Sequence, residues 1–411
     1  MSKRYVKTRV KERFGPKIEK VNISEKSFWP RAIAAGVLLL IGTILLAHSC
    51  ARYFGTQDGW QEITIESSQE TNYSSEFSLQ YDIGRSGVSA GVEKRNVTAV
   101  YTEALTEAYD IFNADEQGKD SANLYDLNQH PNETLTVSKE LYQALETLEQ
   151  YDARWIYLGP VYALSTNLFQ SEDDVIASDY DPYREQSLAD FYQKIADFAR
   201  DPQQIQIEKK GNNQVCLKVS QEYMQFAKDN EIDQFVELSY MRNAFVCDYI
   251  ADKLTEEGYT NGFVSSYEGY TRYLNREDYS YTGTIYGRNG AKTGKIADET
   301  ISGMNATVVL KDFAVADLEK YRYYKYGDGT ARSSYMSLSD GKDYAAIPYL
   351  YAASENSGCA EILLQLLPHY ITDEWDVDAV YALSKNGIYV IYTENGKAYT
   401  NLPNNEYKES P

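Results

Sequence analysis

Between Ala32 and Ala51 the chain runs for twenty consecutive residues without a charge, most of them Ala, Leu, Ile or Val. Wound as a helix, that stretch rises about 30 Å, one hydrocarbon thickness. Phe28 and Trp29 stand just before it, where interfacial aromatics belong, and residues 1–31 carry ten Lys/Arg against three acids. The positive-inside rule keeps the basic end in the cytoplasm and exports the large C-terminal part of the chain. A basic run of about thirty residues is long for a signal-peptide n-region, so an uncleaved anchor is expected. Cys50, within Leu46-Ala47-His48-Ser49-Cys50, is similar to a lipoprotein cleavage box, though His48 departs from it. The expected organisation is a cytoplasmic tail over 1–31, a transmembrane helix over 32–51, a polar linker over 52–75, an exported domain over 76–403 and a polar tail over 404–411.

Of 40 Lys/Arg and 61 Asp/Glu, the first 31 residues hold 10 and 3; the remainder keeps 30 and 58, a net of −28. Such a surface repels nucleic acid and anionic lipid, which excludes polyanion binding for the large part. Its expected contacts are the membrane, through 32–51, and an envelope protein partner. Cys216, Cys247 and Cys359 are isolated, with no CxxC pair, and read as small buried hydrophobes.

Period-two alternation predicts a strand at Phe77–Ile83, and helical spacing predicts helices over 100–112, from Ser138 as N-cap, over 187–199 and over 244–256. A hairpin is expected at 205–219 around Lys210-Gly211-Asn212-Asn213, and a buried strand over 262–266. Asn386-Gly387 and Asn395-Gly396 punctuate alternating apolar runs over 379–401 and predict a meander. Hairpin connections outnumber crossovers, so the fold class is α+β.

Ordinary catalytic patterns are missing: three histidines (His48, His130, His369), no HExxH, no GxxxxGK[ST], no GxSxG and no GxGxxG. The tyrosines are numerous at 38, and Tyr321-Arg322-Tyr323-Tyr324-Lys325-Tyr326 is either a stacking surface or the amphipathic skin of an exported domain.

A series of segments from about 77 to 367 stands in the order of the motifs of a known family. Ser121-Ala122-Asn123-Leu124-Tyr125-Asp126-Leu127-Asn128 looks like the family segment ending in Leu-Asn, followed by Val137-Ser138. Glu237-Leu238-Ser239-Tyr240-Met241-Arg242-Asn243-Ala244-Phe245-Val246-Cys247-Asp248 is similar to Asp-Leu-Gly-Gly-Ile-Ala-Lys-Gly-Tyr-Ala-Val-Asp. Gly262-Phe263-Val264-Ser265-Ser266-Tyr267-Glu268-Gly269 resembles the strand ending in Asn-x-Gly-Gly-Asp. Gly329 to Gly341 matches Gly-x-x-x-Ser-His-x-x-x-Pro-x-x-Gly in length, with Ser334 at the histidine and Leu338 at the proline. Ala360-Glu361-Ile362-Leu363-Leu364-Gln365 looks like Ala-Asp-Ala-Leu-Ala-Thr. Taken in order, these segments resemble the FAD:protein FMN transferase (ApbE-like) family.

The resemblance implies a two-layer mixed helix/sheet domain behind the single N-terminal anchor. It also implies that relatives use FAD and magnesium to attach FMN to a threonine of a partner protein. Carried over residue by residue, it puts cofactor contacts at Glu237, Ser239, Tyr240, Asn243, Tyr267 and Glu268, and metal ligands at Glu361 and Gln365. The departures bear on activity. With Ser334 in the histidine's place no general base is evident. A longer acid at Glu361 displaces a metal by about one bond length, which positioning catalysis tolerates poorly. Tyr240 and Tyr267 stand where glycines let backbone approach a cofactor, and either fill that space or stack on a flavin ring. Asp298 to Thr307 is faintly similar to the acceptor sequence Asp-x-x-Ser-Gly-Ala-Thr, and equally reads as a turn entering a strand. The expected function is a catalytically impaired, flavin- or partner-binding module. The alternatives are an active divergent magnesium-dependent FMN transferase and an unrelated envelope adhesion or assembly protein.

Overall fold

The computed structural model describes residues 33, 37–39, 41–45, 57–274, 279–289 and 292–401. They belong to two compact units, 1–56 and 57–411. In the first, Ile33, 37–39 and 41–45 are helical, with Leu38 and Leu39 about 70% exposed. Most of the anchor expected over 32–51 lies outside the described residues, as do the tails 1–31 and 404–411. Among the described residues no helix is long and apolar enough to cross a membrane.

The second unit is organised by one eight-stranded sheet: β1 (Gly59–Ile63), β2 (Phe77–Ile83), β3 (Gly262–Ser266), β4 (Tyr270–Tyr273), β5 (Ala306–Lys311), β6 (Tyr349–Ser354), β7 (Ile388–Glu394) and β8 (Lys397–Thr400). Spatial order follows chain order and every neighbouring pair is antiparallel. The sheet is thus a meander whose connections have been expanded. Residues 84–261 insert helices and a three-stranded sheet, and the connection between β4 and β5 carries the hairpin Ser280–Asn289/Lys292–Ser302.

Period-two alternation decides what each face meets. In β6, Leu350 and Ala352 point into the main core with the helices, whereas Tyr349, Tyr351 and Ala353 pack into a second cluster with Ile285, Ala297 and Ile301 of the hairpin. Both faces of β6 are therefore buried, and all six of its residues are. The two-layer expectation needs a partial third layer, because the hairpin covers the face that helices leave open.

Among the helices that line the main core are α1 (Ala90–Phe112), α2 (Arg242–Glu256) and α3 (Cys359–Tyr370). Val97, Tyr101, Ala104, Ala108 and Ile111 recur at three- and four-residue spacing down α1, the stripe an amphipathic helix buries. Ser138 caps Lys139–Gln150, its Oγ accepting Leu141 N–H at 3.0 Å, as its position implies. Cys216, Cys247 and Cys359 are free and buried.

Two expectations are corrected. The linker span 52–75 contains β1, which pairs with β2 from Gly59↔Ile83 to Ile63↔Leu79; its polar residues belong to a sheet edge whose outward side chains need not be apolar. The expected meander over 379–401 begins as helix: Val377–Ala382 and the 3-10 turn Leu383–Asn386 precede β7. Gly387, at φ +72°, ends that helical stretch, because the left-handed geometry an Asn-Gly turn requires is also what a helix C-cap requires. Asn395-Gly396 does turn β7 into β8.

Candidate ligand cavity

At one end of the sheet the chain folds around a cavity of about 620 Å3, within the range that holds small organic ligands. Its walls come from the entry to β2 (Glu76), the helix Gly159–Phe169 (Tyr162, Phe169), the approach to α2 (Glu237, Ser239, Arg242), the β3–β4 turn (Tyr267, Glu268), the end of β5 (Lys311) and the strand-turn region 319–334.

The approach to α2 is held from a distance. Asn128 is buried; its Oδ1 accepts Phe235 and Val236 N–H at 2.8 and 2.9 Å, and its Nδ2 donates to Val236 O at 2.9 Å. The next turn is closed by Glu237, whose Oε1 accepts Ser239 N–H at 2.9 Å while Oε2 accepts from Gln234 Nε2 at 2.8 Å. Ser239 has φ +49°, so the backbone keeps a glycine-like conformation at a position where the resembling family has glycine. Burial raises the Glu237 pKa, against the Ser239 N–H and the Arg242 charge.

Each described cation lining the cavity is matched with a carboxylate that also lines it. Arg242 Nη2 meets Glu76 Oε2 at 2.5 Å, Lys311 Nζ meets Glu319 Oε1 at 2.5 Å, and Arg322 pairs with Glu268. Burial draws Arg322 down to about 10, against the attraction of Glu76, so it remains a cation at neutral pH. Burial likewise lowers Lys311. Glu237 and Asp115 add two carboxylates, so among the described residues five acids (Glu76, Asp115, Glu237, Glu268, Glu319) face three bases, a formal net of −2.

Of the residues expected to contact a cofactor, Glu237, Ser239, Tyr267 and Glu268 line this cavity together with Ser334. Tyr267 is 42% exposed and leaves the hollow open. Tyr240 lies beneath the wall, fully buried, its ring against Tyr162 and Tyr335 at 5.9 and 5.3 Å and its carbonyl accepting Tyr270 Oη at 2.6 Å. Asn243 is also buried, donating to Glu76 Oε2 at 2.7 Å and Ser266 Oγ at 3.1 Å. It positions the carboxylate that holds Arg242. The lysine absent at Asn243 thus has a cationic neighbour one residue earlier.

Glu361 and Gln365 do not join this group. Glu361 lines a separate groove with Asp248, Asp252 and Arg272. Gln365 donates Nε2 to Glu361 O at 3.2 Å, and its Oε1 accepts from Asn386 Nδ2 at 2.9 Å. Among the described residues no group of three or more His, Cys, Asp or Glu is placed to hold a metal. The two side chains do not fit a magnesium site. Thr307 is buried within β5 between Thr271 and Ala353, its hydroxyl 3.4 Å from Tyr273 Oη, and presents no acceptor to a transferase. Arg322 and Tyr323 of the tyrosine-rich run line the cavity, whereas Tyr326 is core. Glu76, Asp115, Tyr162, Lys311 and Glu319 were not singled out by the sequence; each stands on a separate element, and no local pattern joins them.

A meandering antiparallel sheet flanked by helices, with a cavity at its end built from the approach to α2 and the β3–β4 turn, defines the architectural class. Solved structures are similar in fold. The ApbE protein of Thermotoga maritima aligns with a TM-score of 0.54 at 13% identity, covering 82% of this chain and 94% of that one. The flavin transferase ApbE of Vibrio cholerae gives 0.54 at 14% identity, covering 84% and 97%. No protein-family model and no curated protein sequence matches the chain. The chain has the ApbE flavin-transferase fold.

Proposed function

We propose that this chain is a membrane-tethered, extracytoplasmic protein that has kept the ApbE fold and its cavity as a binding module while losing FMN transfer. The tether is supported by the uncharged span 32–51 behind ten basic residues, which orients the N-terminus to the cytoplasm. Loss of transfer is supported by one observation above all: every described cation in the cavity already faces a carboxylate, leaving a net −2 surface. A dinucleotide brings two further negative charges on its pyrophosphate, which such a site repels unless a divalent cation screens them. Glu361 and Gln365 offer no such cation site, and Ser334 offers no base for an acceptor hydroxyl.

The test is to incubate the full chain, in detergent micelles, with FAD, magnesium and a flavin-acceptor protein. The expected result is no AMP release and no covalent flavin. Turnover of either kind would refute the reading in favour of an active, divergent transferase, which the open cavity and Glu237 keep as the second candidate. Equilibrium titration with FAD then separates a flavin module, which binds at micromolar concentration, from a module that recognises a partner instead.

A further inference from the structure

The cavity has an excess of acceptors of a particular kind. Glu268 lines it with a side chain only 10% exposed; one oxygen faces Arg322, while Oε2 has no hydrogen-bond partner among the described residues. A buried carboxylate oxygen without a donor is costly, and several donor atoms nearby have acceptors of their own. Arg242 gives Nη2 to Glu76 and Nε to Asn243 Oδ1 at 3.1 Å. Lys311 gives Nζ to Glu319, Tyr323 gives Oη to Lys311 O at 3.0 Å, and the Glu268 N–H goes to Ser266 Oγ at 3.1 Å. Glu268 Oε2 is left to accept one more donor, and four aromatic side chains line the same cavity: Phe169, Tyr162, Tyr267 and Tyr323. A cation over such rings gains a further 0.5–2 kcal/mol, roughly, as it is desolvated.

We propose that the cavity binds an organic cation, a primary ammonium or guanidinium group on an apolar stem, with its N–H donors on Glu268 and its stem against the tyrosine-lined wall. The proposal rests on the binding-module reading and names the ligand class for it. The group can arrive on a free small amine or as the Lys or Arg side chain of a partner protein; net −28 outside the basic tail favours approach of either.

The experiment is isothermal titration of the full chain in micelles with tyramine and with tyrosol, which differ only in carrying an ammonium or a hydroxyl. A second pair, capped Gly-Lys-Gly and Gly-norleucine-Gly peptides, tests the side-chain source. Binding of tyramine, or of the lysine peptide, at least ten-fold tighter than its neutral counterpart is expected, and whichever pair shows it identifies the source. Glu268→Gln should lower that affinity ten-fold or more. Because Glu268 also holds Arg322, Tyr267→Ala serves as a second variant: it removes an exposed ring and should weaken binding three- to ten-fold with the circular-dichroism spectrum unchanged. Equal affinity for charged and neutral members, or no binding of tyramine and the lysine peptide, overturns the proposal. AMP release from FAD and magnesium in the same preparation overturns the loss of transfer instead, so the two failures are distinguished.

Discussion

Asn128 ties two segments more than a hundred residues apart, and replacing it should both loosen the fold and blur the cavity. Its side chain makes three hydrogen bonds, at 2.8, 2.9 and 2.9 Å, all to the backbone of Phe235 and Val236. Those residues lead straight into Glu237 and Ser239 in the cavity wall. In Asn128→Ala the three bonds are lost, at about 1 kcal/mol each, and two N–H groups and a carbonyl are left buried at about 1–3 kcal/mol apiece unless water enters. Partial hydration of the vacated space brings the expected loss to about 3–5 kcal/mol. Asn128→Asp retains the acceptor but sets a second oxygen against Val236 O, and should fall between the alanine variant and wild type. Urea denaturation gives the stability, and hydrogen exchange at the Phe235 and Val236 amides reports whether the loss is local. A loss below about 1 kcal/mol, or unchanged protection at those two amides, would show that the segment is held by its own packing and refute the argument.

Three other perturbations concern individual sites. Gly269 sits at φ +100° with Val309 O only 2.7 Å from where a Cβ would stand, so Gly269→Ala should cost more than about 2 kcal/mol in denaturant titration, and a smaller effect would mean that the β3–β4 turn yields. Ser239→Gly should be neutral or stabilise by up to about 1 kcal/mol, since it relieves a left-handed serine; clear destabilisation would show that the hydroxyl carries the turn. Burial lifts Asp312 and Asp343 from 3.8 to about 6, so the folded state takes up protons between about pH 4 and 6 that the unfolded state does not. The two carboxylates then favour folding more at pH 5 than at pH 7.5, by on the order of 1 kcal/mol each, and their contribution is lost as pH rises through 6; a urea midpoint higher at pH 7.5 than at pH 5 would contradict this.

How much of the molecule is legible in the sequence varies with the range of the interaction. Elements governed by near neighbours read well. The alternation of Phe77–Ile83, the cap at Ser138 and the turn at Asn395-Gly396 depend on residues within a few positions of one another, and each appears where its pattern places it. Asn386-Gly387 misled because one local geometry serves both a hairpin and a helix end, and only the helix packed before it decides between them. At the site, the resembling segments located Glu237, Ser239, Tyr267, Glu268 and Ser334, which fold onto one cavity. Tyr240 and Asn243, adjacent in the same segment, turn inward, because a 3-10 turn running into a helix points successive side chains in different directions.

From sequence alone came the charge asymmetry, the uncharged span, the α+β class and a set of site positions, all properties carried by residue type and short-range spacing. The tertiary structure decided the rest: that β1 belongs to the sheet, that a hairpin covers its second face, and that Glu76, Lys311 and Glu319 reach the cavity from three separate elements to pair with or accompany its cations. Charge pairing in a cavity is a sum over atoms brought together from distant parts of the chain, and no window along the sequence contains that sum.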